Sequence, residues 1–329
     1  NNTAMGFSAL KNNTTGCENV AVGTEAMHTG TTACRSVAFG YKALRSVQTG
    51  TNNVGVGFCS LNAITTGAAN TAVGDIALLS TTTASSNTAV GGSSLLANTT
   101  GANNTAVGMN ALADNTTAAN NIAVGFCALH KNTTGADNTS VGTAALSENL
   151  TGTHNTAVGR AALQNSTAGD NTAVGSEALR LNVGGSRNSA LGRNALEANT
   201  TGGDNTAMGT NSLLLNTTGA DNTAFGADSL DANTTGCRNT AVGKEALGST
   251  TTGTCNVAVG RKALVVNTTG AKNTAVGHTT LGGLTTGSEN TGVGFDVMNS
   301  TVTGQGNTAV GADAINCNTT GSNNVAMGI

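Results

Sequence analysis

Apolar and polar positions recur along this chain in one fixed order, N-T-A-V-G-x-x-A-L-x-x-N-T-T-G-x-x, every seventeen residues. We number these positions 1 to 17. Units begin at Asn2, Asn19, Ser36 and Asn53 and continue to Asn307, giving nineteen, with a partial twentieth over 324–329. The unit at Asn155 is one residue short: its N-S-T-A-G-D stretch has lost a residue beside the last turn, and Gly169 is read there as the position-15 glycine. Residues 1–329 therefore read as a single repeat domain with no capping segment. Self-similarity at a fixed period is the mark of stacked or arrayed architectures.

The pattern inside one unit predicts a short strand, two turns and little else. Position 5 is Gly throughout, which points to a positive φ or a close backbone approach. Position 4 is always Val, Met, Phe or Leu, and position 9 always Leu, Met or Ile. Position 2 is mostly Thr, Val or Ile, which suits a strand. Positions 2 and 4 share one face of that strand because side chains alternate. The sequence thus predicts a narrow core closed by the position-4 and position-9 columns, represented by Val107, Leu112, Val124 and Leu129, with Gly108 and Gly125 as stacked turn glycines. The prediction is an all-β fold: a parallel β-solenoid or β-roll of about nineteen 17-residue coils, with equivalent positions forming columns about 4.8 Å apart and a rod roughly 90 Å long. The Asn column at position 1 suits an amide ladder between coils. Helix-pair repeats need roughly twice this period, and glycine at positions 5 and 15 would break their helices.

Composition narrows the functional classes. Charged residues are 9% and aromatics 2% of the chain, with no Trp and no Pro, so an ordinary globular core is not indicated. The net charge of −3 offers no basic footprint for nucleic acid. No stretch of about 20 apolar residues exists to span a membrane. The chain begins at Asn1 without a secretory leader, which reads as a processed chain or a piece of a longer one. The small residues at positions 3 and 8 would let neighbouring chains approach closely, so an oligomer is expected.

Candidate chemistry is sparse. Cys17 and Cys34 occupy position 16 of adjacent coils, at a spacing compatible with a disulfide; Cys237 and Cys255 sit at positions 16 and 17 of adjacent coils and are the second candidate pair. No Cys/His cluster suggests zinc. Asp137, His154 and Asp170, or Asp204 and Asp221, could be read as a cation site, but an exposed charge ladder explains them more simply. Lys11, His28 and Arg45 form only a small basic strip. The four histidines are scattered, no catalytic constellation recurs, and the glycines lack the strand–loop–helix setting of a phosphate loop. The expectation is a non-enzyme with no cofactor and no metal. Tyr41 and Phe58, neighbours at position 6, could form a sugar platform or cover a seam between chains. N-T-T is also a glycosylation sequon, and Asn13, Asn98, Asn132, Asn216 and Asn267 are among its instances at position 12.

The repeat, as in Asn87–Asn103 and Asn205–Asp221, resembles repeats in tail-fibre-like and surface-fibre proteins of phages and bacteria. It is also similar to the YadA-type head of trimeric adhesins, whose shorter units carry a like small–apolar–Gly strand. That resemblance implies a left-handed roll, three chains about one axis and attachment to a surface. The functional expectation is an extracellular or virion-borne structural fibre, a homotrimer or filament that presents variable columns to partners such as a cell-surface glycan. Two alternatives are an ice-binding protein using the Thr columns at positions 13 and 14, of which strand alternation would turn only one outward, and a carbohydrate-binding adhesin.

Overall fold

The computed structural model describes residues 1–328. Every element of regular structure among them is a three-residue strand. The chain groups into two compact units, 1–169 and 170–329. In the first, strands β1 (Thr3–Met5) to β10 (Thr156–Val158) follow one another, one per coil. Each pairs in parallel with its sequence neighbour, as in Thr105↔Ile122, Ala106↔Ala123 and Val107↔Val124. The second unit repeats the arrangement from β11 (Thr172–Val174) to β20 (Val325–Met327), as in Thr206↔Thr223, Ala207↔Ala224 and Met208↔Phe225. The fold class is the parallel β-solenoid that the period predicts. Ten strands stacked at about 4.8 Å give each unit a height of roughly 45 Å.

Main-chain bonding between coils extends well beyond the strands. Gly125 N donates to Val107 O at 2.8 Å, Cys127 N to Met109 O at 3.1 Å, Leu112 N to Ala128 O at 3.0 Å, and Thr116 N to Thr133 O at 3.2 Å. These bonds run both up and down the stack because the backbone alternates in hand: positions 7, 9 and 17 of each coil lie in the left-handed region. Leu112 at φ 51° and Leu129 at φ 52° are typical. A buried leucine in that region is unusual and costs on the order of 1–2 kcal/mol. The alternation turns carbonyls and amides toward adjacent coils, so polar groups that would otherwise be buried without partners are paired.

The two glycine columns differ in kind. At position 5, φ lies between 122° and 143° throughout. A Cβ on Gly108 would also stand 2.5 Å from Gly125 O and 2.7 Å from its carbonyl carbon. Gly108 and Gly125 are therefore stacked as predicted, and neither conformation nor space admits a side chain. Position 15 is equally crowded, yet its φ is not in the positive region, and Ala33, Ala84 and Ala118 occupy it. Ala168 joins them: its carbonyl accepts the 2.9 Å bond from Asn155 Nδ2 that the position-15 carbonyl accepts elsewhere. The shortened unit thus keeps its position-15 residue as Ala168, and the residue lost lies between Ser166 and Ala168, which corrects the reading of Gly169.

The core is smaller and more polar than the pattern suggests. Leu112 and Leu129 are fully buried, as are Ala106, Ala111, Ala123 and Ala128. Val107 and Val124 are not core residues: they are 37% and 36% exposed. Strand alternation holds, but the face turned inward is that of position 3 and not that of positions 2 and 4. A seventeen-residue loop encloses too little volume for Val on one wall and Leu on the other. The strand turns Ala inward to meet Leu, and positions 2 and 4 point out. For the same reason the small residues at positions 3 and 8 line the interior rather than a seam between chains.

Two buried asparagine columns complete the interior. At position 1, Asn104 Oδ1 accepts from the Asn121 main-chain N–H at 2.9 Å, while Asn121 Nδ2 donates to Gly135 O at 3.0 Å. At position 12, Asn115 Nδ2 donates to Asn98 Oδ1 at 2.9 Å and Asn132 Nδ2 to Asn115 Oδ1 at 3.0 Å. Each position-12 amide also reaches the position-15 carbonyl of its own coil, as in Asn132 to Gly135 O at 2.9 Å. A buried amide is tolerable only when its hydrogen bonds are made, and the ladder makes them by repetition.

Candidate interaction surface

With Ala turned inward, each strand presents its position-2 and position-4 side chains outward, and none of these is buried in either unit. Position 4 forms a column of Val interrupted by larger residues, of which Phe39 is 56% exposed. Position 2 forms a parallel column, mostly Thr with Val and Ile. No charged residue occurs at either position in any unit. The two columns stay aligned from coil to coil because the parallel register does not slip. Per unit it measures roughly 45 Å by about 7 Å between the two columns, roughly 300 Å² before side-chain width is added. A shallow depression breaks it in the second unit, lined by Thr172, Val174, Ser189, Ala190, Leu191 and Met208, where Ser189 is smaller than the usual Thr.

Charge lies elsewhere, in pairs along the stack. Arg187 meets Asp204 through two bonds of 2.7 and 2.8 Å, which raises the guanidinium pKa and lowers that of the carboxyl. Arg45 donates to Glu25 at 2.8 Å and holds that carboxyl below its usual range. Lys131 pairs with Glu148 and Lys272 with Glu289. Arg45 of the basic strip and Asp204 of the acidic pair thus take part in ion pairs with the next or preceding coil. His154 Nε2 lies 3.8 Å from Asp137. Among the described residues no three His, Cys, Asp or Glu side chains converge as a metal set, and no helix is long and apolar enough to cross a membrane.

The threonine columns separate by role. Position-13 hydroxyls bond down the stack, as in Thr116 to Thr133 O at 3.1 Å and Thr133 to Leu150 O at 2.9 Å. Position-14 threonines such as Thr100, Thr117 and Thr134 are exposed. Only one of the two columns read as an ice-facing array therefore offers its hydroxyls outward. At position 6, Tyr41 and Phe58 stack with centroids 5.2 Å apart and planes 13° from parallel, and Lys42 Nζ sits 4.8 Å from the Tyr41 centroid. The rings face each other, so a sugar would meet ring edges and the outer face of Phe58. His278 and Phe295 form a second stack.

The sequons do not form a surface stripe. Asn98, Asn132, Asn216 and Asn267 are fully buried. Their Nδ2 atoms, which would carry the glycan, donate inward to glycine carbonyls, as in Asn216 to Gly219 at 2.9 Å and Asn267 to Gly270 at 3.1 Å. Asn13 is half-buried and makes the same bond, to Gly16 at 3.1 Å. In the folded chain these residues are part of the core. The cysteine pairs also diverge. Cys17 and Cys34 Sγ atoms lie 2.8 Å apart, whereas Cys237 Sγ points to Thr235 O at 3.4 Å and accepts from Ala220 N at 3.3 Å, and Cys255 is exposed. All seven thiols are free.

No family model matches this chain, and no curated protein matches it. What the structure itself defines is a class, the parallel β-solenoid repeat protein with a narrow core of Ala, Leu and Asn.

Proposed function

We propose that this chain is a non-enzymatic structural fibre segment, of a cell surface or virion, that assembles with further copies of itself through the outward strand face. The observation that carries this reading is the position-4 column: apolar in every coil, exposed or half-exposed, and flanked by a second uncharged column. Sheet faces that stay in water alternate polar side chains outward, so a face apolar in every layer departs from that pattern. Contiguous apolar patches of a few hundred Å² are often interaction sites, and the position-4 column is the apolar part of a face of roughly 300 Å² per unit before side-chain width. Repetition suits a second copy best, because a partner with the same coil spacing meets every layer in register. The homotrimer and the left-handed roll follow from the resemblance to adhesin heads. The variable positions 6, 7, 10, 11, 16 and 17 then face outward to partners, including a cell-surface glycan.

Sedimentation equilibrium tests the reading. The wild-type chain is expected to be a multimer, and Val90→Lys with Val107→Lys and Val124→Lys to give a folded monomer. A wild-type monomer at tens of micromolar would overturn it. Ice binding retains one supporting observation, the exposed position-14 threonines, and thermal hysteresis at micromolar protein would favour it over the fibre. A glycan-array signal lost in a Tyr41→Ala, Phe58→Ala variant would support the adhesin reading.

A further inference from the structure

Of the seven thiols, one pair is in contact. Cys17 Sγ and Cys34 Sγ are 2.8 Å apart, closer than non-bonded sulfurs normally approach and less than 1 Å from the covalent separation of about 2.05 Å. Three further bonds hold the pair. Cys17 N donates to Cys34 Sγ at 3.0 Å, Cys34 Sγ lies 3.6 Å from Thr32 O, and Arg35 N donates to Cys17 O at 2.9 Å, fixing the register of the two coils. In-register stacking sets the Cα atoms about 4.8 Å apart, inside the range a disulfide spans. Cys17 is exposed and Cys34 half-exposed, so a small oxidant can reach them. Cys237 and Cys255 share only a main-chain bond, Cys255 N to Cys237 O at 3.0 Å.

We propose that Cys17 and Cys34 are a redox modification site, oxidised by a low-molecular-weight disulfide to an intercoil clasp. The Cys17 thiolate attacks one sulfur of the small disulfide, forming a mixed disulfide and expelling one small thiolate. The Cys34 thiolate then attacks the Cys17 sulfur of the mixed disulfide and expels the second. Two electrons pass from the protein to the small disulfide, and the two thiol protons finish on the two small thiols. The second step is intramolecular at contact distance, so the mixed disulfide does not accumulate. The S–H···S bond between the pair raises the Cys17 thiol above its ordinary range, so the first step sets the rate.

The test oxidises the folded full chain with oxidised glutathione, blocks remaining thiols with an alkylating agent and maps peptides by mass spectrometry. The expected product lacks two hydrogens, carries a Cys17–Cys34 linked peptide and leaves Cys237 and Cys255 alkylated. The bond between the two coils should also slow exchange of the amides that join them, Thr3, Glu25 and Arg35 among them, by about tenfold or more. Cys34→Ser is expected to stop at glutathionylated Cys17, with no slowing. A stable mixed disulfide at wild-type Cys17, linkage of either residue to another chain, or unaltered exchange after the clasp has closed would each overturn the proposal. The wild-type map decides the matter even if the variant fails to fold.

Discussion

The position-12 ladder makes a sharp energetic prediction at Thr250. In the second unit Asn199 donates to Asn182 at 2.8 Å, Asn216 to Asn199 at 2.8 Å, and Asn233 to Asn216 at 2.7 Å. The next residue in the column is Thr250, and the ladder stops. Asn233 Oδ1, Thr250 Oγ1 and Asn267 Oδ1 are all buried with no partner. Asparagine at 250 would donate one Nδ2 hydrogen to Asn233 Oδ1 and the other to Gly253 O. Its Oδ1 would face Asn267 Nδ2. Two of the three orphans are removed; Asn267 Oδ1 remains, because the following residue is Leu284. A buried polar atom without a partner costs about 1–3 kcal/mol, and each bond made is worth about 0.5–1.5 kcal/mol net. Thr and Asn are close in volume, so little of that gain should be lost to repacking. Thr250→Asn should therefore stabilise the unit by about 1–3 kcal/mol. In a thermal melt that corresponds to roughly 2–4 °C per kcal/mol for a unit of this size. Exchange of the amides of the three coils that carry Asn233, residue 250 and Asn267 should slow in parallel, since repeat stability is local. Thr250→Val is the control: it deletes the Thr250 orphan but leaves Asn233 Oδ1 bare, and should deliver less than half the gain. If the valine variant equals the asparagine variant, or if Thr250→Asn is folded and no more stable than wild type, the ladder is not what stabilises this column.

Two further substitutions probe the backbone. Gly108→Ala puts a methyl against Gly125 O in a region of φ that L-residues avoid, and should cost about 3 kcal/mol or more by chemical denaturation. Gly101→Ala, equally crowded but at ordinary φ, should cost less than about 1.5 kcal/mol, because Ala118 already fills that place one coil on; equal penalties would show that crowding alone selects glycine. Ile76 is β-branched and sits at φ 49°. Replacing it with Asn, the residue that other coils carry there at Asn110, Asn194 and Asn211, should raise stability by about 1 kcal/mol in the same assay.

How far the sequence could be read depended on whether a side chain's type or its surroundings decided its place. Gly108 and Gly125 were legible because one residue type answers one backbone demand. The position-1 asparagines were legible because a polar residue repeated in every layer has its partner supplied by the period itself. The position-12 asparagines, which the sequence marks as sequons, follow the same logic. Val47, Ile64 and Leu284 in that column were the signal, since no exposed turn accepts Asn and large aliphatics alike, whereas an enclosed site of fixed volume does. The left-handed leucines left no trace, because Leu is not a residue that conformation selects. It is held there by the bonds its amide makes to the next coil, and those exist only once the stack does.

Val107 and Val124 are the instructive case. Their type and strict recurrence say that apolar contact is demanded at position 4, and the structure shows that this chain's interior does not supply it. Volume decides the point: Ala at positions 3 and 8 and Leu at position 9 fill the coil, so a Val wall has no room inside. In the proposed assembly the exposed part of each position-4 side chain is covered from outside the chain. A partner of a different period would match one layer and miss the next, whereas another copy matches every layer at the same spacing. The strict recurrence of an apolar side chain at position 4, on the outward face, is the physical reason to expect the proposed assembly of this solenoid with copies of itself.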